Sequence, residues 1–582
     1  MANLSQIKRE QMIAFLEKLK EQHNDDESLI AFNQIEKELT SKKYGLVWEE
    51  HEENVDVMMK THIPVFTEVK EKEIVENPES ERFNFLLEGD NLHSLKLLEK
   101  THKGKVDIIY IDPPYNTGNK DFVYDDTVID ANDGYSHSKW LSFISSRLQL
   151  SRELLSKHGV IFVSIDDREY ANLKLLMDEI FGANNCVSTL VWEKKKKGSF
   201  LSNSITNIKE YVLVYCKDMT MFNGLIGEIN ESTETYPCIN ASNKREVRHI
   251  KAGIKSNYKE KNFVLPAGTV VSNNTMNIVY LTDLVIKDGV VEKDFEVEGN
   301  WRYADAIMEE YSEKQELYIT NELYIRRIVS TPRYKTLKDV LPRVGTNEDG
   351  MYADAIDHKN LFASGWGSNE DADNELIDFF GKQRVFSYPK PSKLIKKLIV
   401  STRIKDALIL DFFAGSGTTA QAVLELNKED GENRTFILCT NNENNICEDI
   451  TYYRAKTVIT GKKKDGSEYS HGIAANMKYY KTGFVCKDSD DLYEELLAHT
   501  KEMIQLQYGV RVDGKKYVMI MDDDEMDEFE KKIEDYSDLQ AVFINQDVLL
   551  STSQEKLLSD VNTYIIPDCY FDFELREAGE LW

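Results

Sequence analysis

The chain has 582 residues and a hydrophobic content of 41%, more than one domain requires and ample for several packed cores. Its 72 basic and 101 acidic residues leave a net charge of −29, a sign opposite to the one phosphate attraction favours, so any nucleic-acid surface has to be a basic groove on an acidic body. No apolar run reaches membrane-spanning length, and the segment 1–10 lacks the apolar core of a secretion signal. Both point to a cytoplasmic protein without a membrane partner. The cysteines at positions 186, 216, 238, 439, 447, 486 and 569 are odd in number and show no C-x-x-C spacing, which speaks for reduced thiols and against zinc knuckles or a disulfide framework.

In chain order, residues 1–80 read as a helical, charged segment. Met12, Phe15, Leu16 and Leu19 share one helical face, and Leu29, Phe32, Ile35 and Leu39 suggest a second. Such faces serve a subunit contact or packing on the parent domain, and the pattern does not choose. Over 81–217 apolar runs (106–111, 160–165 and 211–215) alternate with helical stretches (140–155 and 170–181), the signature of a doubly wound, mostly parallel α/β sheet. Within that half, Lys194, Lys195, Lys196 and Lys197 form a basic run that suits either a solvated loop or contacts to DNA phosphates. Over 218–381 the alternation dissolves into polar and aromatic sequence around Trp301, Arg302, Tyr334 and Trp366. This insertion is placed to read a target. The sheet pattern resumes over 382–476, where the basic stretch 384–405 is a candidate surface patch or an amphipathic helix. Residues 477–582 read as an acidic module with a small α/β pattern of its own.

Two strand-end motifs carry the chemistry. The run Val106–Ile111 stops at Asp112-Pro113-Pro114-Tyr115. A carboxylate and a proline carbonyl can each accept an N–H from an aromatic amine, drawing its nitrogen toward tetrahedral geometry and freeing the lone pair to attack a methyl donor. Neither proline offers an N–H, and Tyr115 can lie against a base turned out of its stack. Taken alone, four such residues equally describe an ordinary Pro-Pro loop. The second motif, Asp411-Phe412-Phe413-Ala414-Gly415-Ser416-Gly417-Thr418, follows another apolar run and precedes a helix-forming stretch. Its glycines permit close backbone approach at a helix N-terminus. No lysine occurs between Asp411 and Asn427 and the third glycine of a dinucleotide fingerprint is missing, which favours a phosphate-free nucleoside ligand such as S-adenosylmethionine, with Asp411 toward its cationic end.

With the Pro-Pro-Tyr motif ahead of the glycine motif, the chain resembles the β-class amino-methyltransferases of DNA. Together with Glu88-Gly-Asp-Asn-Leu-His-Ser-Leu95, Gly159–Asp167 and Tyr388-Pro-Lys-Pro391, it resembles the Mod subunits of type III restriction-modification systems over residues 43–461. The resemblance implies a Rossmann-like methyltransferase fold and adenine N6 as the acceptor, as the aspartate form of the motif does in that family. It implies S-adenosylmethionine as cofactor, no metal, double-stranded DNA as substrate, a homodimer, and a Res translocase-nuclease as partner. Carried over residue by residue, Asp112, Pro113, Pro114 and Tyr115 become the catalytic loop, Phe412, Ala414, Gly415, Ser416, Gly417 and Thr418 the cofactor loop, and Asp90 and Lys390 the lining of the cofactor pocket. Relatives carry a glutamate after the next strand for the ribose hydroxyls. Here Thr440 stands near that point, and Glu443 and Asn441 are the alternatives.

Overall fold

The computed structural model describes residues 12–20, 26–40, 48–117, 123–124, 127–128, 135–195, 205–273, 276–329, 332–346, 356–382, 384–559, 561–566, 570–571 and 574–576. They form two compact units, one comprising Met1–Gly224, Asp339–Ile356 and Ser364–Trp582, the other Leu225–Lys338 and Asp357–Ala363. Among the described residues no helix is long and apolar enough to cross a membrane.

The first unit is built on one twisted sheet. Its strands are β1 (His62–Glu68), β2 (Asn84–Glu88), β3 (Val106–Ile111), β4 (Leu155–Ile165), β5 (Cys186–Glu193), β6 (Lys209–Cys216), β7 (Val340–Leu341), β8 (Leu408–Asp411), β9 (Thr435–Thr440) and β10 (Asn476–Cys486), with the short Ile74–Val75 strand paired beside β10. They lie in the spatial order β1-β10-β2-β9-β8-β3-β4-β6-β5-β7. From β10 through β4 every pair is parallel. Helices cover these strands, so they are apolar on both faces: Ile108, Ile109, Ile111, Ile409, Leu410, Phe436 and Leu438 are buried. Six helices frame the site: α1 (Asn91–His102), α2 (Ser136–Leu154), α3 (Asn369–Phe380), α4 (Ser392–Thr402), α5 (Thr418–Asp430) and α6 (Tyr452–Thr460).

The Rossmann-like α/β architecture is as the sequence implies, but several boundaries differ. The apolar run 211–215 belongs to β6, which is antiparallel to β4 and to β5, a strand the alternation pattern did not reveal. The N-terminal segment is helical over residues 12–20, Asp26–Thr40 and Asn54–Thr61, whereas His62–Glu68 is an edge strand of the sheet. Four consecutive buried residues, Ile63–Phe66, explain the change, and Pro64 is tolerated because an edge strand has a neighbour on one side only. Residues 477–486, assigned by sequence to the C-terminal module, belong to β10 inside the sheet. Lys478 disguised it, since its ammonium is buried against Glu68 and Glu73. Residues 364–381 pack in the first unit: Trp366 is fully buried, the ammonium of Lys397 donates to the carbonyls of Ser364 (2.7 Å) and Gly365 (2.9 Å), and Ser368 with Asp371 closes a capping box on α3.

Among the described residues the second unit is all β apart from the helix Asp305–Glu313. Trp301 is an anchor of its core, with its indole N–H on the carbonyl of Glu246 at 2.9 Å, and so is not a surface contact. In the C-terminal region, where the sequence suggests a small α/β pattern, Tyr517–Ile520, Ala541–Asn545 and Asn562–Ile566 form a small parallel sheet, with the helices Asp523–Lys531 and Thr552–Leu558 between them.

Candidate active site

Strands β3 and β8 are parallel neighbours, with Ile108 opposite Ile409 and Ile109 opposite Leu410. Both motifs therefore leave the sheet at adjacent carboxyl ends, where ligands of open α/β sheets bind, although nearly three hundred residues separate them in sequence.

At the end of β3 the Asp112 carboxylate receives the Lys390 ammonium on both oxygens at 2.7 Å. The Tyr115 hydroxyl donates to Asp112 Oδ1 at 2.8 Å and also lies 3.2 Å from Glu210 Oε2. Glu210, on β6, takes the Lys194 ammonium on Oε1 at 2.8 Å and lies 3.5 Å from Lys390. Two carboxylates and two ammoniums thus balance in one buried cluster. Burial raises the pKa of Asp112, Lys390 works against that, and the nearby charge of Glu210 adds to it. Burial also pushes Glu210 up, but Lys390 and Lys194 outweigh it and hold this carboxyl below its usual range. The loop is fixed from behind. The carbonyl of Pro114 accepts the indole N–H of the buried Trp140 on α2 (2.7 Å), and Asn116, at φ 57°, is held by Glu169 (2.6 Å).

At the end of β8, Asp411 Oδ1 accepts the amide of Phe413 (3.1 Å) and Oδ2 the hydroxyl of Thr419 (2.5 Å). Burial raises its pKa to about 7 despite these bonds. Gly415 (φ +47°) and Gly417 (φ +77°) are left-handed, and a Cβ on Gly415 would stand 2.9 Å from the ring of Phe386. The hydroxyls of Ser416 and Thr418 turn into the protein, where Arg454 on α6 donates to them at 3.1 and 2.8 Å. The same guanidinium reaches Gln421 (2.9 Å) and Glu375 on α3 (2.8 Å). On the other side, Asn91 donates to the carbonyl of Phe412 (2.8 Å) and accepts from Arg147, which also donates to Glu53 (2.7 Å), Asp90 (3.2 Å) and the carbonyl of Phe143 (2.7 Å).

The structure thus brings together Asp112, Pro113, Pro114 and Tyr115, and sets beside them the loop from Asp411 through Phe412, Ala414, Gly415, Ser416, Gly417 and Thr418. Lys390 sits on Asp112 and Glu210, in the Asp112 cluster rather than among the groups that hold the glycine loop. Asp90 caps α1 through the amide of Leu92 (2.8 Å) and supports the loop through Arg147. Glu443 and Asn441 are exposed, while Thr440 is buried at the end of β9. Lys194 is bound to Glu210 instead of presenting a free charge, Lys195 is half-buried, and Lys196 and Lys197 lie outside the described residues. The basic stretch 384–405 contributes α4, an interior helix whose Lys396 and Lys397 are buried. Sequence reading missed Glu210, Arg454 and Arg147. The available signal was a charged residue inside an apolar run, as in Lys209-Glu-Tyr-Val-Leu-Val-Tyr-Cys216.

The family model described as DNA methylase matches residues 106–452. The chain is 36% identical over 405 residues to the type III restriction-modification enzyme StyLTI Mod subunit of Salmonella typhimurium, covering 65% of this chain and 55% of that one. It is 32% identical over 395 residues to the EcoPI Mod subunit of Escherichia phage P1 (62% and 58% covered). It is also 32% identical over 361 residues to the type II methyltransferase M.KpnI of Klebsiella pneumoniae (61% and 79% covered). The matches thus span little more than half the length of these Mod subunits.

Proposed function

The chain belongs to the DNA methylase family, and from that premise we propose that it transfers a methyl group from S-adenosylmethionine to adenine N6 in double-stranded DNA, as the modification and specificity subunit of a type III restriction-modification system. One observation carries the reading: Asp112-Pro113-Pro114-Tyr115 and the Asp411–Thr418 loop occupy neighbouring parallel strand ends. The second loop fits the cofactor. Gly415 and Gly417, both left-handed, leave this turn without Cβ atoms, and the buried carboxyl of Asp411 suits a cationic ligand end. When bound, S-adenosylmethionine supplies a methyl group on cationic sulfur. The chain's own residues do the rest. Asp112 and the Pro113 carbonyl accept the two amine N–H groups and localise the nitrogen lone pair, while Tyr115 stacks on the flipped base. The proton that leaves N6 after the attack passes to Asp112, whose burial-raised pKa suits it to hold that proton before solvent takes it.

The second compact unit, inserted between the motifs, serves as the target-recognition domain, within the wider span 218–381 suggested by sequence. The N-terminal helices expose Met12, Phe15, Ile30 and Ile35, which supports a homodimer contact there. A Res translocase-nuclease is the partner that the Mod resemblance implies. A stand-alone methyltransferase without such a partner is the second reading, favoured by the fuller coverage of M.KpnI. A catalytically silent specificity subunit is disfavoured by the intact Asp112–Tyr115 loop. The deciding experiment is nucleoside mass spectrometry on unmethylated DNA treated with the purified protein and S-adenosylmethionine, beside Asp112→Ala. N6-methyladenine from the wild type alone supports the reading. N4-methylcytosine would move the acceptor to cytosine, and no modified base with DNA binding retained would favour the silent subunit.

A further inference from the structure

Both oxygens of Asp112 are occupied by Lys390, and Oδ1 also accepts the Tyr115 hydroxyl. An amine that is to donate to this carboxylate has to displace an ammonium, and an ammonium displaced inside a buried site needs another carboxylate within reach. Glu210 is so placed, with Oε2 at 3.5 Å from Lys390 Nζ, and closing that gap to a hydrogen bond takes a movement of about 1 Å at the end of a flexible side chain. Exposure sets the direction of approach. The Asp112 side chain is 23% exposed, whereas those of Lys390 and Glu210 are 6% and 7% exposed, so an incoming group meets Asp112 first.

We propose that Glu210 is a positioning residue which takes over the Lys390 ammonium when the substrate amine takes Asp112, so that Lys390 serves as a removable stopper on the acceptor carboxylate. The inference rests on the methyltransferase reading above. The charges of the site support the exchange. Asp112 and Glu210 flank Lys390 on two sides, Lys194 neutralises the far oxygen of Glu210, and Asp411 and Asp166 stand at the neighbouring strand ends. Lys390 and Lys194 hold the Glu210 carboxyl below its usual range, so Glu210 remains a charged acceptor for the ammonium. Its position on the antiparallel strand β6 lets it enter the cluster from the side opposite the glycine loop.

The test is a double-mutant cycle read by single-turnover formation of N6-methyladenine in unmethylated DNA, with the melting temperature of each variant as a folding control. Glu210→Gln is expected to slow the step about tenfold while leaving the KM for S-adenosylmethionine within about twofold. Glu210→Asp, which keeps the charge, should recover most of the loss. In a Lys390→Met background, where no ammonium needs a second home, Glu210→Gln should cost less than about twofold. Additive losses, or Glu210→Gln at the wild-type rate, overturn the proposal and leave the methyltransferase reading standing. If Glu210→Gln does not fold alone, the double variant against Lys390→Met decides, an equal rate supporting the proposal and a further tenfold drop refuting it. If Lys390→Met has no measurable turnover, the acid limb of the Glu210→Gln rate profile decides. Removal of the Glu210 charge should move the limb to lower pH, because that charge raises Asp112, and an unmoved limb refutes the proposal. No N6-methyladenine from the wild type would remove the reading itself and the proposal with it.

Discussion

Asp411 gives the sharpest test of the electrostatics at the glycine loop. Its carboxyl is buried at the end of β8, and its pKa is raised from an ordinary 3.8 to about 7. The displacement corresponds to ~4 kcal/mol between the ionised and neutral forms. The folded state therefore binds a proton here that the unfolded chain has released, so the contribution of this group to stability is fully present below about pH 4, declines as pH rises, and is lost above about pH 7. Asp411→Asn removes the ionisation and keeps the contacts: the amide oxygen accepts from Phe413 N–H, and the amide nitrogen donates to Thr419 Oγ1 once that hydroxyl turns to accept. Chemical denaturation of wild type and variant from pH 4 to pH 8 should give stability curves that diverge by ~4 kcal/mol in favour of the variant, most of it between pH 4 and pH 7. Other titrating groups are common to both proteins and cancel in the difference. Curves that stay parallel within about 1 kcal/mol would show that Asp411 ionises normally and would refute the reasoning. Calorimetry on the same pair adds a functional check: S-adenosylmethionine should bind the wild type more tightly as pH rises through about 7 and bind Asp411→Asn with no such dependence.

Three further outcomes follow from the site. Arg454→Met strips the ionic partner from Glu375 and the donors from Ser416 and Thr418, and should cost about 3–5 kcal/mol in denaturant unfolding; a loss under about 1 kcal/mol would mean that solvent reaches this pair. Gly415→Asp puts a side chain at φ +47° and a Cβ 2.9 Å from Phe386, so calorimetry should find S-adenosylmethionine affinity reduced at least about tenfold, and wild-type affinity would refute the assigned cofactor loop. Tyr115→Ala should abolish methylation with DNA binding retained in a gel-shift assay, whereas lost binding with preserved methylation would remove the loop from the catalytic site.

Local sequence determined the two strand-end motifs, their order, and the apolar runs that become β3, β4 and β8. A strand buried on both faces has to be continuously apolar, and a close turn at a strand end has to carry proline or glycine. Periodicity reports how deeply a segment is buried but not its partner or its direction. This is why the alternation pattern leaves the antiparallel direction of β6 open, why β10, with Lys478 inside it, resembles the start of another module, and why the basic stretch 384–405 leaves open whether it is a surface patch or the buried helix α4. Lys194 and Lys390 looked like a phosphate contact and a pocket lining, yet both are bound to carboxylates. Which acid neutralises a buried lysine depends on distances between elements far apart in the chain. Only the tertiary structure set Glu210 of β6 beside Asp112 of β3 and Lys390 ahead of α4, and locked the glycine loop with Arg454 of α6, because buried charges are tolerable only where the fold supplies their partners.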